Sequence, residues 1–138
     1  MLDFLFENIF LVGLVIISGI LLFFPKIFSK DVKALSAREV TLLINREPTV
    51  VIDVRAETDF MNGHITNAIN VPLETIEDQV AKFKNLSKKN IILCCQKGIQ
   101  SNQAFRLLSK LSFEKLYTID GGIDDWVKNN LPVVDGKK

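Results

Sequence analysis

Two adjacent cysteines, Cys94 and Cys95, are the strongest nucleophiles in the 138-residue chain and its only cysteines. They close an apolar run that starts at Ile91 and lead into Gln96-Lys97-Gly98-Ile99-Gln100-Ser101, followed by a helical stretch. A loop running from a strand into a helix turns backbone N–H groups toward its mouth, and open α/β sheets bind ligands outside the carboxyl ends of their strands. Alternation along the run makes Cys94 a packing residue and carries Cys95 past the strand into the loop. A thiolate ringed by N–H donors near a helix N-terminus is expected to have a depressed pKa and to act as a nucleophile at neutral pH. The rival reading is that both cysteines are small buried apolar residues, and the residue types alone leave the two open. Gly98 lets the loop turn sharply or take positive φ. Lys97, the one full charge in the loop, either holds an anionic substrate or points to solvent.

Other chemistries are poorly supplied. Neighbouring thiols cannot staple distant parts of a fold, and a cytoplasmic domain would keep them reduced. The single histidine, His64, leaves too few ligands for zinc and is the one candidate base for a Cys–His pair. No metal or cofactor is expected. Seventeen Lys+Arg against sixteen Asp+Glu give a formal charge of +1, which argues against a nucleic-acid partner.

The elements that must position Cys95 read as alternating strands and helices. Ser36-Ala37-Arg38-Glu39 fits a capping box opening a helix to Arg46. Thr49 to Val54 is a β-branched run of a strand buried on both faces, and Ile69–Val71, Ile91–Cys94 and Leu116–Ile119 repeat that character. Helical stretches fall at Thr58–Asn62, Leu73–Phe83, Gln100–Leu111 and Ile123–Asn129, with Ala104, Leu107, Leu108 and Leu111 on one face. This alternation predicts one α/β domain with a mainly parallel central sheet.

The amino-terminal segment is of another kind. From Asn8 to Pro25 there are 18 consecutive uncharged residues, covering roughly 27 Å as a helix. Leu5, Phe6, Ile27 and Phe28 extend the stretch to the ~30 Å of a bilayer core. A cleaved signal peptide fits less well: Asp3 and Glu7 precede the run, and no small-residue cleavage site follows it. Lys26, Lys30 and Lys33 behind the span predict an outside amino terminus and a cytoplasmic domain. Residues 1–28 are thus expected to be a transmembrane anchor and 29–35 a linker. The folded domain would cover 36–135.

Three ordered motifs carry a resemblance. Val51-Ile52-Asp53-Val54-Arg55 is followed by Phe60, Gly63-His64-Ile65 and Ala68-Ile69-Asn70-Val71-Pro72; Cys95 to Ser101 forms the second motif; Ile119-Asp120-Gly121-Gly122, Trp126 and Leu131-Pro132-Val133 form the third. From about Leu35 to Pro132 the chain resembles the single rhodanese-like (sulfurtransferase) domain, and with its apolar leader it is similar to small membrane-tethered bacterial members. The resemblance implies a three-layer fold and a persulfide on Cys95, loaded by a sulfane-sulfur donor such as thiosulfate and discharged to a thiol or other thiophilic acceptor. It also implies that backbone amides from Gln96 through Ser101 (Gln96, Lys97, Gly98, Ile99, Gln100, Ser101) stabilise the developing anions. Gln96 and Gln100 stand where many active members have Arg, so this loop is less cationic. Asn67, Ser112 and Asn130 replace frequent glycines, and Asn tolerates the left-handed region.

Structural roles are expected for the other motif residues. Asp53 and Arg55 would fix strand–loop geometry by pairing, and Gly63 and His64 would shape a turn. Gly121 and Gly122 belong to the closing motif, and Trp126 would pack in the core or at its rim. The leading expectation is a single-pass protein of the cell (inner) membrane that transfers sulfane sulfur through Cys95. It would hold the membrane through residues 5–28, with a membrane protein as a further partner. The competing reading is a non-catalytic docking or redox-sensing module on the same fold.

Overall fold

The computed structural model describes residues 2–28 and 31–136, with side chains described for 2–22 and 31–136. Lys30, counted above among the flanking cations, and the first two linker residues, 29 and 30, lie outside the described residues. The chain divides into two compact units, Met1–Asp31 and Val32–Lys138.

The first unit holds α1 (Leu2–Glu7) and α2 (Ile9–Phe28). Asn8 joins them without breaking the hydrogen-bond ladder: its N–H donates to the Phe4 carbonyl at 3.2 Å and its carbonyl accepts from Val12 at 3.0 Å. Large apolar side chains are exposed all along the unit, among them Phe4, Phe10, Leu14, Ile17 and Leu21. Among the described residues no helix is long and apolar enough to cross a membrane.

The second unit is an α/β sandwich. Its elements are β1 (Ala34–Leu35), α3 (Ala37–Arg46), β2 (Thr49–Asp53), α4 (Glu57–Asn62), β3 (His64–Ile65), β4 (Ile69–Asn70), α5 (Ile76–Phe83), β5 (Asn90–Cys94), α6 (Ile99–Ser109), β6 (Leu116–Ile119), α7 (Gly122–Lys128) and β7 (Val133–Val134). Five strands form one sheet in the order β1-β6-β5-β2-β4, every pairing parallel. A small antiparallel pair, β3 with β7, stands apart.

The period of two along the strands sends alternate residues to opposite faces. Ile52, Val54, Leu93 and Cys95 pack with Ile76, Phe83, Ala104, Phe105 and Leu108 of α5 and α6. Val51, Ile92 and Cys94 pack with Ala37, Val40, Ile123 and Trp126 of α3 and α7. Helices therefore cover both faces, the arrangement that a nearly all-parallel sheet needs. Ser36 caps α3 as expected: its Oγ accepts from Glu39 N–H at 3.3 Å and its own N–H donates to Glu39 Oε2 at 2.8 Å. The Ser36 N–H and the Ser36 hydroxyl, each donating to Glu39 Oε2 at 2.8 Å, hold the Glu39 carboxyl below its ordinary pKa.

Three details differ from the sequence reading, and the expectation for the asparagines holds. Ala34–Leu35, within the stretch read as linker, adds the edge strand β1 beside β6. The stretch from Leu73 opens as a 3₁₀ turn over Leu73–Thr75, and α5 begins only at Ile76. On α6 the buried face is Ser101, Ala104, Phe105 and Leu108, whereas Leu111 lies beyond the helix end and is exposed. Asn67 (φ 63°) and Asn130 (φ 59°) adopt the left-handed region, while Ser112 does not.

Candidate active site

β2 and β5 run parallel and adjacent, so their carboxyl ends deliver Asp53 and Cys94 to the same edge of the sheet, in register with each other. The chain beyond β2 carries Arg55, and the chain beyond β5 carries Cys95.

Cys94 is fully buried on the α3/α7 face. Burial, reinforced by the Asp53 carboxylate and by Cys95, pushes its thiol well above its ordinary pKa. Cys95 turns to the other face. Its Sγ accepts a hydrogen bond from the Gly98 N–H at 3.0 Å and lies 3.4 Å from Ser101 Oγ. Ser101, fully buried in the first turn of α6, donates its hydroxyl to the Gly98 carbonyl at 3.0 Å. Gly98 caps α6 with φ 100°, a region that L side chains rarely enter. The turn folds the amide back onto the sulfur.

Cys95 is only 1% exposed, yet it forms part of the wall of a cavity of about 580 Å³ together with Arg55, Asp59, Gln96, Lys97, Ile99 and Gln100. The two facts are compatible: the residue borders the cavity while nearly all of its surface is covered by its own loop and by the core. The free entry into the loop expected for Cys95 is therefore replaced by a sulfur recessed beneath it.

Arg55 organises the other wall. Its Nε lies 3.0 Å and 3.1 Å from the two Asp53 carboxylate oxygens, and its Nη2 donates to Oδ2 at 2.7 Å. Nη2 also donates to the Gly63 carbonyl at 2.7 Å, and Nη1 to Gln96 Oε1 at 3.0 Å. Burial alone would lower the guanidinium pKa, but the hydrogen bonds and charge of Asp53 outweigh it and raise the value. Asn70 secures the same turn, its Nδ2 donating to the carbonyls of Asp53 and Arg55.

The loop is clamped from the third side by α7. Ile123 N–H donates to the Cys95 carbonyl at 2.8 Å, and Asp124 N–H to the Gln96 carbonyl at 3.1 Å. This close approach requires Gly122, where a Cβ would collide with those same carbonyl oxygens. Gly121 and Gly122 both have positive φ, 73° and 63°. The side-chain amide of Gln96 donates to Asp124 Oδ1.

His64 and Trp126 stand apart from the sulfur. The His64 ring stacks on Phe60 at 3.8 Å and its Nδ1–H donates to the Phe60 carbonyl at 2.8 Å. Trp126 is buried, its indole N–H donating to the Pro132 carbonyl at 3.0 Å. Asp124 carries no signal in the sequence, since its partner lies 28 residues away. Asp59, at the start of α4, reads in sequence as one more helix-opening acid.

Comparison with known proteins agrees with this architecture. The family profile "Rhodanese-like domain" matches residues 36–129. The uncharacterized protein YibN of Escherichia coli (strain K12) is 34% identical over 113 residues, spanning 81% of this chain and 79% of YibN. A tRNA uridine(34) hydroxylase of Buchnera aphidicola subsp. Baizongia pistaciae is 31% identical over 99 residues, but the match covers only 32% of that protein. Among solved structures, a rhodanese-related protein from Thermoplasma volcanium superposes with a TM-score of 0.68 at 26% identity, covering 74% of this chain and 97% of that one. Thiosulfate sulfurtransferase from Pseudomonas aeruginosa gives a TM-score of 0.68 at 21% identity, covering 78% of this chain and 20% of that one, a likeness of fold alone. With its profile match and its parallel sheet ending in the Cys95 loop, the chain belongs to the rhodanese-like domain family.

Proposed function

We propose that the protein is a membrane-anchored sulfurtransferase that carries sulfane sulfur as a persulfide on Cys95. The observation that carries the reading is the Gly98 N–H 3.0 Å from the Sγ of Cys95, a residue in the wall of a cavity of about 580 Å³. In the loading step the Cys95 thiolate attacks the outer sulfur of a donor, the donor's S–S bond breaks, and the donor remainder leaves with the electron pair. With thiosulfate, the products are the Cys95 persulfide anion and sulfite. In the discharge step an acceptor thiolate attacks the outer sulfur of Cys95–S–S⁻, and the Cys95 thiolate is released. The Gly98 N–H is placed to meet the sulfur's charge with a dipole that needs no reorganisation, whereas the Ser101 hydroxyl, which donates to the Gly98 carbonyl, would have to turn to do the same.

Anchoring rests on the uncharged stretch Asn8–Pro25 and on the exposed apolar side chains along α1 and α2. Lys26, Lys30 and Lys33 after the stretch, against Asp3 and Glu7 before it, favour a cytoplasmic side for the catalytic unit, the lysines carrying the bias. A membrane protein is the natural candidate for an acceptor or partner.

The near-complete burial of Cys95 favours a second reading, a docking or redox-sensing module. One experiment decides. The full-length protein in detergent is incubated with thiosulfate or an organic persulfide, and its intact mass is measured before and after addition of a dithiol. Gain of one sulfur, reversed by the dithiol, lost in Cys95→Ser and kept in Cys94→Ala, supports the transferase. No gain with any donor leaves the docking reading.

A further inference from the structure

We propose that this site draws its sulfur from the persulfide of an organic thiol of low charge, in preference to a small dianion such as thiosulfate. The inference rests on the sulfurtransferase reading and names its donor class.

Four side chains lining the cavity could donate to an anion, Arg55, Gln96, Lys97 and Gln100, and the two nearest the Asp53 and Asp124 carboxylates, Arg55 and Gln96, are already committed. Arg55 spends Nε and Nη2 on the Asp53 carboxylate, Nη2 also on the Gly63 carbonyl, and Nη1 on Gln96 Oε1. Its charge is matched by Asp53 at 2.7 Å. Gln96 donates its amide to Asp124 instead of to the cavity. Asp59, on the same wall, carries a negative charge. Lys97 is left as the one cation without an ion pair among the described residues lining the cavity, and Asp59 offsets it.

A dianion would have to shed its hydration in this nearly neutral space, where few donors replace the lost water. A donor R–S–SH loses far less. The Cys95 thiolate attacks its outer sulfur, the S–S bond breaks, and R–S⁻ departs with the electron pair while the proton stays on the new Cys95–S–SH. No oxidant or reductant is needed, and the single charge released matches the single mobile cation, Lys97. Ile99, 69% exposed on the cavity wall, offers apolar surface to the R group.

The test compares kcat/KM for thiosulfate with that for the persulfide of a neutral alkyl thiol, using the full-length protein and a common dithiol acceptor. Two variants are measured beside the wild type. Gln96→Arg removes the acceptor that holds Arg55 Nη1; Gln100→Arg adds a cation to the same wall without touching the Arg55–Gln96–Asp124 chain. Each is expected to raise the thiosulfate value about tenfold while shifting the persulfide value less than about threefold, as charge-steered encounters do. A wild type that uses thiosulfate as well as the persulfide, with neither variant changing the ratio, overturns the donor assignment and leaves the transferase reading intact. Failure of both donors to load Cys95 overturns both.

Discussion

Arg55 and Gln96 are 41 positions apart in the chain, and Arg55 Nη1 donates to Gln96 Oε1 across 3.0 Å. That bond joins the turn after β2 to the turn after β5, so the pocket wall and the cysteine loop are parts of one polar assembly. Its root is the buried ion pair of Arg55 with Asp53, whose side chains are 5% and 1% exposed.

Removing one partner of that pair leaves the other charged and unmatched in the interior. Arg55→Ala is expected to cost about 3–5 kcal/mol of stability. Arg55→Lys keeps the charge but not the planar fork, and its loss is expected to be smaller. Urea unfolding measures both; a cost for Arg55→Ala below about 1 kcal/mol, the range of exposed pairs, would show that the pair is not structural.

Gly122→Ala is expected to be worse than an ordinary glycine substitution in a helix. Positive φ alone costs about 1–2 kcal/mol for a residue with a Cβ. The new methyl would also strike the main chain of Cys95 and Gln96, which cannot rotate away as a side chain could. At Gly121 the nearest atom to a new Cβ is instead the Asp125 side chain, at 2.6 Å. Gly122→Ala should therefore lower both melting temperature and persulfide loading more than Gly121→Ala; equal effects would remove the clamp from the account.

The raised pKa of Cys94 has a consequence for alkaline stability. In the unfolded chain this thiol ionises near about 8.5, its ordinary value. In the folded protein it holds its proton to higher pH. Between the two the unfolded state binds fewer protons, so stability falls as pH rises, by up to about 1.4 kcal/mol per pH unit. The contribution is intact below the unfolded value. Denaturant titrations of wild type and Cys94→Ala across that window should diverge; parallel curves would contradict the burial argument.

Anchoring is open to a charge test. A charged residue at the centre of a spanning helix costs about 2.5–3.5 kcal/mol each on insertion scales. The full chain should remain with membranes after alkaline carbonate extraction, and Leu14→Arg with Ile17→Arg should move it to the soluble fraction. Retention of the double variant would argue against residues 5–28 as the membrane-holding segment.

Local chemistry made much of this fold legible. Ser36 with Glu39 announces the start of α3, β-branched runs announce β2 and β5, and asparagine at 67 and 130 marks positions needing left-handed backbone. The short strands were invisible for a physical reason. Ala34–Leu35, His64–Ile65 and Val133–Val134 have no pattern of their own and become strands only by pairing with partners far along the chain. At the site, alternation correctly divides Cys94 from Cys95. The Gln96–Asp124 bond, the clamp by Ile123 and the burial of the Cys95 sulfur arise from tertiary approach, which residue types do not encode.

Gln96 has a carboxamide with two unlike ends, and a cation faces one while an anion faces the other. Turning that group over would set its NH₂ against the Arg55 guanidinium and its oxygen against the Asp124 carboxylate, two repulsions in place of two attractions. The amide therefore behaves as a keyed peg that fits its slot one way round, and the rim above the sulfur inherits a fixed polarity from a side chain that bears no charge.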